Sequence, residues 1–181
     1  MAALIAMDYI NDVVTENGKA AMAFSEVRRR HVIQALNKAT STARARDWKV
    51  IFVNLALDEH CMPVESELRS YLDQSQAFQV QGSGIDLASD VEVADSDIVL
   101  RRFRISAFQS PLPNYISPGE ALYMCGVTTN FCVSSSVRMG FDLNYPVHII
   151  EDVCASDTQA AHEAEIQILS LISTITTSDA L

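Results

Sequence analysis

The sequence predicts an α/β protein: a three-layer, doubly wound domain in which helices cover both faces of a parallel sheet. Short, continuously apolar runs alternate along the chain with segments whose apolar residues repeat every three or four positions. Strands that are apolar on both sides need cover on both faces, and connecting helices supply it in a parallel sheet. The 181 residues have the length of one such domain, so we assign residues 1–181 to a single domain.

Six apolar runs are predicted to form the strands. They cover residues 3–7, 50–53, 98–100, 121–125, 147–150 and 172–177. Residues 74–96 fit this alternating scheme poorly. The Gly-Ser-Gly sequence at 82–84 indicates a flexible surface excursion there.

Helices are predicted between and after these strands. The first is long and opens at Ser25. A second runs from about residue 130 to 139, with Gly140 just beyond its end. The last begins at a capping box formed by Ser156 and Gln159.

Composition excludes several classes of partner. The chain has 13 basic and 23 acidic residues, a net charge of −10, which argues against nucleic acid and anionic membranes. It contains no apolar run of about 18 residues that would span a bilayer. The apolar first seven residues lack a basic segment, so we do not expect a signal peptide. Four cysteines without a CxxC pair indicate a reducing, cytoplasmic location.

The candidate chemistry lies where strands end, because ligands of doubly wound sheets bind beyond the carboxyl ends of the strands. Asp8 follows the first predicted strand, and Cys132 comes shortly after the fourth. Three arginines follow the third strand: Arg101, Arg102 and Arg104. A carboxylic acid, several arginines and a thiol are therefore expected at one edge of the sheet.

Cys132 is predicted to lie in the first turn of a helix. Free N–H groups and the helix dipole there favour a thiolate and lower the pKa of the thiol. The same N–H groups can form an oxyanion hole. Two alternatives stay open, since Cys132 can also be a buried cysteine without a role, and Asp8 can be either a general base or a carboxylate that only binds loop amides.

Three segments resemble the signature segments of the isochorismatase-like cysteine hydrolases. They are residues 3–12 (ALIAMDYIND), 102–108 (RFRISAF) and 126–133 (GVTTNFCV). Shorter matches at 82–84, 151–156 and 174–179 follow in order, so the resemblance covers nearly the whole chain. It implies a six-stranded parallel sheet in the order 3-2-1-4-5-6 and assembly into a homo-oligomer.

The resemblance also implies roles for single residues. The family has an Asp–Lys–Cys triad, which makes Asp8 the general base and Cys132 the nucleophile. The backbone N–H groups of Thr128 and Cys132 would form the oxyanion hole, and the Val127–Thr128 peptide bond is expected to be cis.

The family's lysine falls at Arg102, and there this sequence departs from the pattern. The chain has three lysines, none placed to replace it: Lys19, Lys38 and Lys49. A guanidinium supplies positive charge, but it is longer, planar and permanently protonated. Arg102 is therefore either a working substitute or the cause of altered or lost activity.

Further ligand contacts are predicted from position. Four residues are candidates for binding the substrate: Tyr9, Asn11, Phe108 and Phe131. Asp58 and His60 resemble half of the metal site in the family's nicotinamidase branch, but no histidine occurs between His60 and His148. We therefore expect neither a metal nor a cofactor.

Three functions are compatible with these residues. The first is hydrolysis of a small amide through a covalent Cys132 intermediate, or vinyl-ether cleavage of the isochorismate type with the aspartate as acid. The second is a catalytically impaired member of the family that binds a ligand or partner. The third is a thiol sensor that uses Cys132 without hydrolysis.

Overall fold

The computed structural model describes residues 2–181 and contains one six-stranded sheet. Its strands are β1 (Ala2–Met7), β2 (Lys49–Leu55), β3 (Ile98–Arg102), β4 (Ala121–Gly126), β5 (Val147–Ile150) and β6 (Thr174–Thr176). Every neighbouring pair is parallel, and the order is β3-β2-β1-β4-β5-β6. The predicted fold class and strand order are confirmed.

Six α-helices connect or flank the strands. They are α1 (Asn11–Val14), α2 (Phe24–Arg29), α3 (Val32–Ala45), α4 (Glu67–Ser75), α5 (Ser134–Asp142) and α6 (Gln159–Leu169). All six residues of the central strand β1 are buried, as the continuous apolar run requires of a strand covered on both faces. In the described residues, no helix combines the length and the apolar character needed to cross a membrane.

Three helix boundaries differ from the prediction. The long helix expected from Ser25 is two helices, because His31 adopts a left-handed backbone conformation (φ 54°) between them. Gly140 lies inside α5 instead of after it, where a Cβ would come 3.0 Å from Val147. The cap of α6 is Thr158, whose hydroxyl accepts from the Ala161 N–H, and not Ser156.

Residues 74 and 75 end α4, and the segment that follows them is held to the end of β1, although the sequence predicts a flexible excursion. The Asp86 carbonyl accepts from the Asn11 N–H at 2.9 Å, and the Tyr9 carbonyl accepts from the Ala88 N–H at 3.0 Å. The buried Asp12 carboxylate accepts from the Phe78 N–H at 2.6 Å. These bonds fix the segment beside the carboxyl end of β1.

Candidate active site

Three chemically distinct side chains meet at the carboxyl end of the sheet. Asp8 directly follows β1, Arg102 is the last residue of β3, and Cys132 follows β4. Asp8 has a positive φ of 60°, which ends the extended backbone of β1 at this residue. All three side chains are buried: the exposed fractions are 4% for Asp8, 1% for Arg102 and 2% for Cys132.

Asp8 and Arg102 form a two-armed ion pair. Arg102 donates from Nη1 to Asp8 Oδ1 at 2.9 Å and from Nη2 to Asp8 Oδ2 at 2.5 Å. The guanidinium also donates from Nε to the Ile105 carbonyl at 3.1 Å. This fork uses the planar geometry that a lysine ammonium does not have.

The Asp8 carboxylate has little accepting capacity left. Its Oδ1 also accepts from the Leu55 N–H at 2.7 Å, so that oxygen has two donors. Oδ2 has one donor, Arg102. Because a carboxylate offers about four lone-pair positions, one position on Oδ2 stays open to a proton from a neighbouring group.

The Cys132 thiol lies against both charges. Burial raises its pKa well above the usual thiol value, the Asp8 carboxylate raises it further, and Arg102 opposes them. The lowered pKa predicted for a helix N-terminus is therefore wrong for the resting protein. Cys132 lies in a π-helical turn, Thr129–Val133, that precedes α5. Desolvation of the thiolate outweighs the favourable dipole there.

The turn that carries Cys132 is held on both sides. The Val127–Thr128 peptide bond is cis, as the resemblance implies. The Thr129 N–H donates to the Ala155 carbonyl at 2.8 Å. The Thr129 hydroxyl shares a 2.8 Å hydrogen bond with His162 Nδ1. Within residues 2–181, the Thr128 N–H has no backbone acceptor. One N–H donor beside the thiol is therefore available to a ligand.

An apolar cavity of about 120 Å³ opens over these groups. Four of the lining residues are Asp8, Arg102, Thr128 and Cys132. The remaining lining residues supply mostly hydrocarbon and aromatic surface: Val13, Ala20, Met22, Leu55, Leu68, Tyr71, Phe78, Ile105, Val127 and Phe131. The arrangement presents the buried thiol, carboxylate and guanidinium to one cavity whose wall is mostly apolar.

Of the four predicted substrate contacts, the structure places Phe131 in the cavity lining, with 47% of its surface exposed. The other three residues lie outside this cavity. Tyr9 is fully buried and donates to the Val153 carbonyl at 2.6 Å. Asn11 donates to the Ser83 carbonyl at 2.9 Å and lines a different, polar cavity. Phe108 is buried against Tyr145.

Most of the cavity wall was not identified from the sequence. Leu68 and Tyr71 come from α4, a helix that the strand and helix assignment omitted. Their spacing of three positions, continued by Leu72, is the apolar pattern that could have identified this helix. Phe78 comes from the excursion, whose path depends on contacts distant in sequence.

The Asp58–His60 pair is a turn at the surface. The Asp58 carboxylate accepts from the His60 N–H at 2.9 Å, and the His60 side chain is 83% exposed. Hydrogen bonding to the neighbouring Cys61 lowers the pKa of Asp58. Neither residue lines the cavity.

Comparison with known proteins identifies relatives that match most of this chain. The Isochorismatase domain model matches residues 2–180. The ureidoacrylate amidohydrolase RutB of Klebsiella pneumoniae is 30% identical over 169 residues, covering 83% of this chain and 72% of that protein.

Two solved structures illustrate the likeness in three dimensions. An isochorismatase family protein from Desulfovibrio vulgaris superposes with a TM-score of 0.84 at 21% identity, covering 99% of this chain and 95% of that one. N-carbamoylsarcosine amidase from Thermoplasma acidophilum gives a TM-score of 0.77 at 20% identity, covering 100% and 99%. With a family model that spans nearly all residues, this chain belongs to the isochorismatase family of hydrolases.

Proposed function

We propose that the protein is a cysteine-dependent hydrolase of small amides. One observation carries the proposal: Asp8, Arg102 and Cys132 line a single apolar cavity. The named activities of the relatives RutB and N-carbamoylsarcosine amidase support amide hydrolysis as the reaction class.

The first half-reaction begins at the open acceptor position of Asp8. As the substrate enters, the Cys132 proton moves to Asp8 Oδ2, and Sγ forms a bond to the carbonyl carbon. The carbonyl π electrons move to oxygen, and the N–H groups of Thr128 and Cys132 stabilise the resulting oxyanion. When the tetrahedral intermediate collapses, the C–N bond breaks and the amine leaves with the proton from Asp8.

The second half-reaction regenerates the thiol. Asp8 accepts a proton from water as the hydroxide adds to the thioester carbonyl. Collapse of this second intermediate breaks the C–S bond and releases the acid, and the proton on Asp8 returns to Cys132. Net, one water is consumed, and one amine and one acid are formed.

Arg102 has two parts in this scheme. Its two donors orient the Asp8 carboxylate, so that the remaining position on Oδ2 is the one offered to the thiol. Its charge opposes the rise in the pKa of Cys132 caused by burial. We infer that the guanidinium is a working substitute for the family's lysine.

One observation favours the alternative of an impaired, ligand-binding protein. The fork occupies Asp8 on both oxygens, which leaves a single position for proton transfer. A lysine at this place would be expected to occupy fewer acceptor positions of Asp8, because its compact ammonium lacks the two parallel donors of a guanidinium.

Comparing the native protein with Arg102→Lys separates these alternatives. We expect the native protein to release ammonia from neutral amides such as benzamide, and lysine to raise kcat/KM by less than about tenfold, since Arg102 already orients Asp8. Ammonia release over a panel of amides measures both. A gain of about a hundredfold or more would identify arginine as disabling, and no turnover by either protein would favour the binding role.

The resting thiol is expected to be protonated at neutral pH. Because burial raises the pKa of Cys132, we expect its thiolate to form only at a pH above the ordinary thiol pKa of about 8.5. Thiolate absorbance at 240 nm between pH 6 and 10, minus that of Cys132→Ala, measures this step. A thiolate that forms near pH 6 or 7 would contradict the mechanism of transfer to Asp8 during attack and would support a thiol sensor.

Other features of the proposal follow the family resemblance. We infer that the partner is a small-molecule substrate, that the enzyme assembles into a homo-oligomer, and that it works in the cytoplasm. Light scattering on the purified protein gives the oligomeric state.

A further inference from the structure

We propose that the cavity selects compact, uncharged amides with an apolar acyl group and discriminates against amides that carry a carboxylate. This inference rests on the proposed amide hydrolysis and specifies its substrate class. It departs from the relatives named for ureidoacrylate and N-carbamoylsarcosine, since each of those molecules carries a carboxylate.

The charges in the cavity leave no partner for a second anion. Within residues 2–181, the lining holds one basic and one acidic side chain, Arg102 and Asp8, and they neutralise each other. Burial raises the pKa of Tyr71, which keeps that phenol uncharged. A substrate carboxylate would place two anions around one guanidinium in an apolar setting, where an unpaired charge is costly.

Basic residues near the cavity wall in sequence are bound elsewhere. Lys19 precedes Ala20 in the lining, but its Nζ donates to the Gln76 carbonyl at 3.1 Å. Arg69 follows Leu68 and pairs with Asp73 at 2.8 Å. Arg104 precedes Ile105 and donates to the Cys61 carbonyl at 2.7 Å. None of the three lines the cavity.

The size of the cavity sets the second part of the selection. Its volume is about 120 Å³, which is less than the roughly 150 Å³ of an apolar cavity that holds benzene. The volume therefore sets one six-membered ring or a branched chain of five carbons as the upper limit for the acyl group. Leu55, Phe78 and Ile105 offer such a group apolar contact on several sides.

A matched pair of amides tests the charge selection. Succinamate and 4-methylpentanamide have the same arrangement of non-hydrogen atoms, since the two carboxylate oxygens of succinamate replace two methyl groups, and only succinamate is charged at pH 7.5. We expect kcat/KM for ammonia release to be at least about a hundredfold higher for 4-methylpentanamide. Benzamide and 2-naphthamide test the size selection by the same measurement. We expect kcat/KM to be higher for benzamide, which has the single ring.

A variant at an exposed lining residue tests whether the charge in the cavity causes the discrimination against carboxylates. Met22 lines the cavity and is 59% exposed, so Met22→Lys places a cation there without burying it. We expect the ratio of kcat/KM for succinamate over 4-methylpentanamide to rise at least tenfold at low salt. Leu171→Lys adds the same charge at an 84% exposed residue outside the lining and should leave the ratio within twofold.

The possible outcomes separate this inference from the proposed function. If succinamate is hydrolysed as fast as its neutral partner or faster, the charge selection is overturned while amide hydrolysis stands. If both lysine variants change the ratio equally, the cavity is not its cause and the inference fails. If no amide is hydrolysed, the proposed function fails, and this inference fails with it.

Discussion

Cys132→Ser is expected to lower kcat/KM for amide hydrolysis by at least about a thousandfold, because a serine hydroxyl is a far weaker nucleophile in the same place. The native enzyme should also show an acyl adduct on Cys132 when the reaction with 4-methylpentanamide is quenched in acid. Ammonia release measures the first effect, and intact-protein mass spectrometry measures the second.

Cys61→Ser is the matched control for this substitution. Cys61 is partly buried, has no disulfide partner and lies outside the cavity lining, so its replacement should leave kcat/KM within about twofold. Circular dichroism and the melting temperature establish that both variants fold. If folded Cys132→Ser keeps a tenth or more of the native activity, the covalent route is wrong, and a route that uses Asp8 as an acid without a thioester becomes the better account.

The second large effect is on stability. Asp8→Asn removes the anion from a guanidinium that is 1% exposed, and Arg102→Met leaves the Asp8 carboxylate without its cation. Breaking a buried ion pair from one side costs about 3 to 5 kcal/mol. We therefore expect each single variant to lose that much free energy of unfolding in urea at pH 7, and Asp8→Asn to lose hydrolysis as well.

The double variant Asp8→Asn/Arg102→Met reveals whether the loss comes from the pair. With both charges removed, the destabilisation should be smaller than the sum of the single losses by about 2 kcal/mol or more. Asp73→Asn breaks the exposed Arg69–Asp73 pair and should cost less than about 1 kcal/mol. Additive losses in the double variant would show that the two charges do not depend on each other.

The strands and the catalytic candidates could be predicted from the sequence because both depend on local signals. Apolar runs locate the strands to within a few residues. Parallel strands then bring Asp8, Arg102 and Cys132 to the carboxyl edge of the sheet, independently of the loop conformations. The break at His31 was not predictable in this way, since the apolar period of α2 and α3 continues through a residue whose left-handed backbone only the structure reveals.

The cavity wall and the state of the thiol depend on tertiary structure. Tyr9 follows Asp8 directly, but its side chain is buried and bonds to Val153, 144 residues away in sequence. Cys132 precedes a helix, which favours the thiolate, but the depth of burial sets the direction of its pKa shift. Neither burial nor a partner that far along the chain can be read from a local pattern.

Asp12 connects the wall of the apolar cavity to residues that do not line it. Its carboxylate holds the Phe78 backbone, while Gly84 packs so tightly against the same carboxylate that a Cβ at Gly84 would collide with it. Phe78 is part of the cavity lining, whereas Asp12 and Gly84 are not. The shape of the cavity can therefore change through substitutions behind its wall, with every lining residue unchanged.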